Sequence, residues 1–272
     1  MIPVGFEYRR VASADEAVAA LGEHGDDAKL LAGGMSLIPL MKLRLASPSV
    51  LVDVGPVRDL SYIRDAGDHI AIGALTRHHD LEHSDLLAQQ CGVLRAVAAE
   101  VGDPQVRHRG TLGGSAAHGD PASDLPAALL ALDAVLVAHG PSGERTIDAR
   151  DFFVGFLETA LAPDELLTEI RVPKTGATGF NYQKFNRRAQ DWAIVGALAV
   201  RNGTTRVALV NMGSTPVRAS AVEEALASGA SIADAAERAA EGREAPTDLN
   251  ATPEFREHLA RVLVRRALEA AT

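Results

Sequence analysis

Cysteine is almost missing from this chain. Its 272 residues contain one, Cys91, so no internal disulfide can form. The same scarcity excludes an iron–sulfur cluster held by this chain alone, because such clusters take about four cysteine ligands. Positive charge is also in deficit: 27 Lys and Arg stand against 36 Asp and Glu, a formal net charge of −9. With that balance, non-specific nucleic-acid binding is not expected. No apolar run approaches the roughly 20 residues of a membrane span. The stretch Met1-Ile2-Pro3-Val4-Gly5-Phe6-Glu7-Tyr8-Arg9-Arg10 lacks the basic region and apolar core of a signal peptide, so the expected location is cytoplasmic. No G-x-S-x-G nucleophile elbow is present, and Cys91 falls in an apolar segment where a buried, inert thiol is expected. Hydrophobic residues at 47% and charged residues at 23% are otherwise ordinary for a globular protein.

What the chain has instead is two glycine-bearing segments, Leu30-Leu31-Ala32-Gly33-Gly34-Met35-Ser36-Leu37 and Arg109-Gly110-Thr111-Leu112-Gly113-Gly114-Ser115. Glycine pairs let a backbone take positive φ and approach a ligand closely. Successive free N–H groups in such turns form anion-binding concavities. Two of them suggest a ligand with two phosphates or a long dinucleotide. The first is not a P-loop, because no Gly-Lys-Ser/Thr follows, and it lacks the third glycine of G-x-G-x-x-G.

The intervening pattern predicts an α/β unit. Ser13-Ala14-Asp15-Glu16 has capping-box spacing before a helix carrying Ala17, Val18 and Leu21. Strands are predicted over 28–32 and 50–54, with a short helix over 36–45 between them. A second unit opens with a strand over 70–74 and a helix over 86–101, and continues with a helix starting near Ser123-Asp124-Leu125-Pro126. Strands over 135–138, 145–147 and 166–172 follow, then a linker over 173–179. Beyond it, strand-like runs over 180–187, 193–201 and 205–213 precede helices from about 217, 232 and 252. The expected architecture is α+β: a domain at 1–175, with α/β subdomains at about 1–57 and 58–175, and a small α+β domain of three strands and helices at 178–272.

Several side chains stand out beside the glycines. Asp124 can accept hydrogen bonds from ribose or ribityl hydroxyls, or cap a helix, and the sequence leaves both open. Lys184 can donate to a flavin or phosphate oxygen, or lie exposed. Trp192, the single tryptophan, can lie against a planar ring or anchor a core. His79-Asp80-Leu81-Glu82-His83 matches the H-x-x-E-H pattern of inverzincin metallopeptidases, but that motif needs a long supporting helix and a further ligand. A solvated charged turn is expected there, with no metal.

The order of these segments resembles the medium, FAD-binding subunit of the molybdenum hydroxylases, the family of carbon monoxide dehydrogenase and xanthine dehydrogenase. The resemblance runs through Ala-Gly-Gly-x-Ser-Leu at Ala32 to Leu37 and Gly-Thr-x-Gly-Gly-Ser at Gly110 to Ser115. It continues in Asp120-Pro121-Ala122-Ser123-Asp124, Tyr182-Gln183-Lys184, Asp191-Trp192 and Asn211-Met212-Gly213-Ser214-Thr215-Pro216. It implies that Leu30 to Leu37 and Thr111 to Ser115 cradle the FAD pyrophosphate and neighbouring groups through backbone N–H. It also implies that Asp124 binds cofactor hydroxyls, that Leu167 touches adenine or ribose, that Lys184 reaches the flavin side and that Trp192 lies beside the isoalloxazine ring. Met35 departs from the histidine common in carbon monoxide dehydrogenase relatives.

The resemblance further implies a relay. A large partner subunit would hold a molybdopterin and hydroxylate the substrate; a small one would hold two [2Fe–2S] clusters, the whole as a dimer of heterotrimers. This chain's FAD would pass the electrons to an external acceptor, and no general acid or base is expected in it. The rivals are a free-standing flavin oxidoreductase of the vanillyl-alcohol-oxidase type, for which the residues after Pro173 are few to form a substrate cap, and a scaffold subunit that has lost FAD.

Overall fold

Short aliphatic runs lay down the first sheet. In the computed structural model, which describes residues 2–176 and 178–271, Glu7–Arg10, Val50–Asp53 and Ala28–Leu31 pair in parallel in that spatial order. Parallel neighbours need a crossover, and helix Ala14–His24 provides one. Its N-terminus is the predicted box: the Ser13 hydroxyl accepts from the Glu16 N–H at 3.1 Å, and the Glu16 carboxylate accepts from the Ala12 N–H at 2.7 Å. Ala17, Val18, Ala20 and Leu21 are buried against the sheet. The helix predicted over 36–45 is only Leu37–Lys42. Arg44 adopts φ 59°, and the Leu45 and Ala46 N–H groups fold back onto the Leu40 carbonyl, which ends it.

The second unit is a five-stranded antiparallel sheet with Leu166–Pro173 at its centre. His69–Gly73 and Ile63–Asp65 lie to one side, Val135–Gly140 and Gly143–Asp148 to the other. The predicted helix over 86–101 is two, Asp85–Gln90 and Gly92–Ala99, broken at Cys91 with φ −154° and ψ 62°. The break frees the Gln90 carbonyl, which accepts the N–H groups of Thr175 at 2.8 Å and Gly176 at 3.1 Å. Cys91 is fully buried, as expected, and burial pushes its thiol up.

A larger difference concerns the second glycine segment. It is a helix, Leu112–His118, rather than a turn. The Thr111 hydroxyl caps it by accepting the Gly114 N–H at 3.1 Å. Its glycines serve close approach, since a Cβ on Gly113 would lie 2.5 Å from the Ala74 Cβ and 2.7 Å from the Ala74 carbonyl oxygen.

The C-terminal sheet is antiparallel, in the order Gly179–Phe185, Val195–Asn202, Thr204–Val210 and Val217–Arg218. The fourth strand replaces the predicted helix start near 217; Val217 and Arg218 pair with Leu209 and Ala208, and the helix begins at Ser220. The last helix, Pro253–Ala270, starts as predicted with Thr252 as cap and Pro253 in its first turn. It covers the two strands Gly179–Phe185 and Val195–Asn202. Met1, Ala177 and Thr272, which fall in the opening segment, the linker and the end of the last unit, lie outside the described residues. No helix among the described residues is long and apolar enough to cross a membrane.

Candidate functional site

The two glycine segments meet. An ideal Cβ on Gly33 would collide with the Arg109 carbonyl oxygen and lie 2.9 Å from the Gly110 Cα, so the backbones touch where the first segment passes the second. Gly34, at φ 76°, turns the chain from strand Ala28–Leu31 toward helix Leu37–Lys42. The predicted backbone freedom is therefore needed at Gly34, and close approach at Gly33 and Gly113.

A cavity of about 670 Å³ opens beside this junction and is lined by all three units. Its size is that of a small-molecule or cofactor site, roughly 300–1,000 Å³. Of the residues singled out from sequence, Leu30, Ala32, Gly33, Gly34, Met35, Ser36 and Leu37 line it, as do Thr111, Gly113, Gly114, Ser115, Asp124, Leu167, Lys184 and Trp192. Leu31 and Leu112 do not; Leu112 is fully buried in the core of the second unit.

The two segments offer different chemistry. Among the described residues, none of the N–H groups of Gly33, Gly34, Met35, Ser36 and Leu37 donates to another protein group. That run is open to an anion. In the second segment the Leu112 N–H donates to the Thr76 carbonyl at 3.0 Å, Gly113 to Ala74 at 2.8 Å, Gly114 to the Thr111 hydroxyl and Ser115 to the Thr111 carbonyl at 3.0 Å. The expected backbone cradle is thus open in the first segment and engaged within the fold in the second, which presents glycine backbone and the Ser115 side chain instead.

Asp124 and Lys184 are paired with each other. The Lys184 ammonium donates to Asp124 Oδ2 at 2.8 Å and to the Glu100 carbonyl at 2.7 Å, while the Tyr182 hydroxyl donates to Asp124 Oδ1 at 2.5 Å. Side-chain exposures of 4% and 6% put the pair out of water. Burial pushes the Asp124 carboxyl up, against the pull of Lys184 and Tyr182. Asp124 does not act as a helix cap: Ser123 holds that position and Asp124 is the first helical residue. Trp192, by contrast, is 56% exposed at the cavity rim and anchors no core.

Sequence reasoning missed several lining residues. Lys29 brings positive charge from strand Ala28–Leu31, Glu158 and Thr159 come from the short strand Glu158–Thr159, and Gln190 comes from a turn. Most informative is His78, 4% exposed, whose Nδ1 has no hydrogen-bond partner among the described residues. Burial, with the Arg77 and Arg107 charges, pushes its imidazole down to about 4, so it is neutral near pH 7. Its ring wedges against Gly110, where a Cβ would lie 2.6 Å away. Only adjacency to the H-x-x-E-H motif marked it in the sequence.

These features define a class: a cofactor-binding protein that holds an extended anionic ligand between a glycine turn and a glycine-bearing helix. Comparison with known proteins narrows it. The family model described as the FAD binding domain in molybdopterin dehydrogenase matches residues 4–175, and the CO dehydrogenase flavoprotein C-terminal domain matches residues 180–271. The chain is 41% identical to the carbon monoxide dehydrogenase medium chain of Hydrogenophaga pseudoflava, covering 100% of this chain and 98% of that one. It is 38% identical to the 6-hydroxypseudooxynicotine dehydrogenase complex subunit alpha of Paenarthrobacter nicotinovorans, covering 100% and 96%. Among solved structures, carbon monoxide dehydrogenase from H. pseudoflava superposes with a TM-score of 0.96 at 43% identity, over 100% of this chain and 98% of that one. Quinoline 2-oxidoreductase from Pseudomonas putida 86 gives 0.92 at 32%, over 100% and 98%.

The chain belongs to the FAD-binding medium subunits of the molybdenum hydroxylases, and is an oxidoreductase component with FAD as its cofactor. The residues present fit that group, with a run of open N–H groups at a glycine turn, a cavity of suitable size and a buried carboxylate with acceptor capacity left.

Proposed function

We propose that this chain is the electron-transfer subunit of a heteromeric molybdenum hydroxylase. It would lie between [2Fe–2S] clusters on a small partner and an external acceptor, with a molybdopterin on a large partner, in a dimer of heterotrimers. When bound, FAD supplies the exchange between one-electron carriers and a two-electron acceptor; the protein supplies position and electrostatics. The observation that carries this reading is the meeting of Gly33 with Arg109 and Gly110 at the wall of one cavity shared by all three units.

The roles of the chain's own groups follow from what each has left to give. The open N–H groups from Gly33 to Leu37 hold the pyrophosphate, with Lys29 adding charge. An ionised carboxylate has about four acceptor sites, so Asp124, with one donor on each oxygen, still accepts from cofactor hydroxyls. Lys184 has three donors and uses two, which leaves one for the flavin side. Leu30, Leu31 and Ala32 carry the chain into the turn, and Met35 contributes backbone only. Leu167 supplies apolar contact to adenine or ribose. Thr111, Gly113, Gly114 and Ser115 form the second wall, with Leu112 packed in the core behind it, and Trp192 covers one face of the ring system.

The test is a visible absorption spectrum of the purified chain, followed by co-purification. Oxidised-flavin bands, and capture of one molybdenum-containing and one iron–sulfur subunit, are expected. A colourless chain that cannot be reconstituted with FAD overturns the cofactor placement. A flavin-loaded chain that turns over alone and captures neither partner overturns the relay.

A further inference from the structure

The H-x-x-E-H segment fails as a peptidase site for the reason its sequence suggested: its helix, His78–Glu82, is only five residues long. The fold nevertheless does something else with it. The potential ligand atoms of His79, Glu82 and His83 all lie within 4.8 Å of one another. His83 sits at the C-cap, and its Nδ1 is 2.9 Å from the His79 carbonyl oxygen. With the proton on Nδ1 donated there, Nε2 carries the free lone pair. This carbonyl-to-imidazole contact is the arrangement that orients metal-ligating histidines.

The neighbouring groups are held in place as well. Glu82 Oε2 accepts from Arg107 Nε at 2.7 Å, which leaves Oε1 for another partner. Arg95 Nε donates to the Glu82 carbonyl at 2.8 Å and pins the turn. The His108 ring stacks on His79 with centroids 4.2 Å apart. The His79 ring nitrogens themselves make no hydrogen bond among the described residues.

We propose that His79, Glu82 and His83 bind a divalent transition metal, with zinc the best match. Two imidazoles and one carboxylate are a three-ligand set that leaves a fourth tetrahedral position to water, and imidazole donors favour zinc, nickel, copper and cobalt over magnesium or calcium. Tetrahedral bonds of about 2.0–2.2 Å place ligand atoms about 3.4 Å apart, which rotation of these incompletely buried side chains reaches. The site lies on the outer side of the segment whose Arg77 and His78 hold Arg109 and Gly110 beside the cofactor cavity. It does not depend on what fills that cavity.

The experiment is calorimetric titration of the tag-free, full-length chain with Zn²⁺, repeated with Co²⁺ read by its visible bands. One metal per chain is expected, with tetrahedral-type cobalt bands. Both His79→Ala and His83→Ala should weaken binding by at least about tenfold, and Glu82→Gln less. Circular dichroism and melting temperature check each variant's fold; His83 is exposed, so His83→Ala keeps it. Equal affinity in the wild type and a folded His79→Ala/His83→Ala double variant overturns the proposal. So does the absence of any binding by the wild type at millimolar metal.

Discussion

Lys184 and Asp124 meet at 2.8 Å across the seam between the C-terminal sheet and the second unit, almost fully out of water. The pair joins two units and also lines the cofactor cavity. A buried pair is costly to break from one side, because the remaining charge stays desolvated.

The expected outcome for Lys184→Met is therefore a loss of about 3–5 kcal/mol of stability. Asp124→Asn should cost less, since an amide keeps a polar partner. The double variant should fall short of the summed single effects, with a coupling of about 0.5–3 kcal/mol. Urea unfolding of the four proteins measures this, and strict additivity would show that the contact contributes nothing.

Gly33→Ala tests the junction of the two segments. Its Cβ would strike the Arg109 carbonyl, a backbone group that cannot swing away. Flavin content should fall well below one per chain, read by the ratio of visible to ultraviolet absorbance. Gly22→Ala is the control: nothing lies within 4 Å of its Cβ, it sits inside helix Ala14–His24, and alanine adds up to about 1 kcal/mol there. Full flavin occupancy in Gly33→Ala would remove the junction from the site.

Gly114 behaves differently from what a phosphate turn demands. A Cβ there would lie 2.6 Å from the Thr111 hydroxyl, so the first damage is to the helix cap. Thr111→Val should reproduce part of the effect at a cost of about 1 kcal/mol. Gly114→Val should lose both stability and flavin. If it melts like the wild type and retains stoichiometric flavin, the second segment does not approach the cofactor.

Much of this was legible because single residues carry strong local rules. Ser13 with Glu16, and Thr252 before Pro253, mark helix starts that need no tertiary help. Gly33, Gly34, Gly113 and Gly114 were legible as cavity-lining residues, as was the positive φ of Gly34; the helical conformation of Gly113 and Gly114 was not. Gly113 and Gly114 look like a turn because glycine disfavours helix, yet the space left by Ala74 and the Thr111 cap make them helical. The break at Cys91 was hidden because it answers to a linker some 85 residues further on, whose N–H groups need the Gln90 carbonyl. His78 was hidden for a similar reason: only the folded chain buries its ring against Gly110.

Acid stability should depend on Glu169. Burial alone would raise its carboxyl, but the Tyr62 hydroxyl at 2.6 Å, Arg171 at 2.7 Å and Arg64 at 3.0 Å outweigh it and hold it below its ordinary value. A depressed carboxylate contributes stability that is complete above its unfolded value and is lost as pH falls through the folded one. Chemical unfolding from pH 7 downward should show that loss below about pH 4.3, the ordinary glutamate value. Glu169→Gln should be less stable at pH 7 and flatter over the acid limb. An unchanged slope would mean that other carboxylates set the acid limit.

Removing the flavin should lower the melting temperature in a way that separates binding from folding. A ligand that binds only the folded state stabilises it by RT ln(1 + [L]/Kd), about 2.7 kcal/mol at a hundredfold excess over Kd. For a chain of this size each kcal/mol is worth roughly 2–4 °C, so the stripped protein should melt about 5–10 °C lower and recover on adding FAD. Gly33→Ala should melt at nearly the same temperature with or without added FAD, because its open N–H run is displaced. A variant that regains the full shift without regaining flavin absorbance would mean that the stabilising ligand is not the flavin.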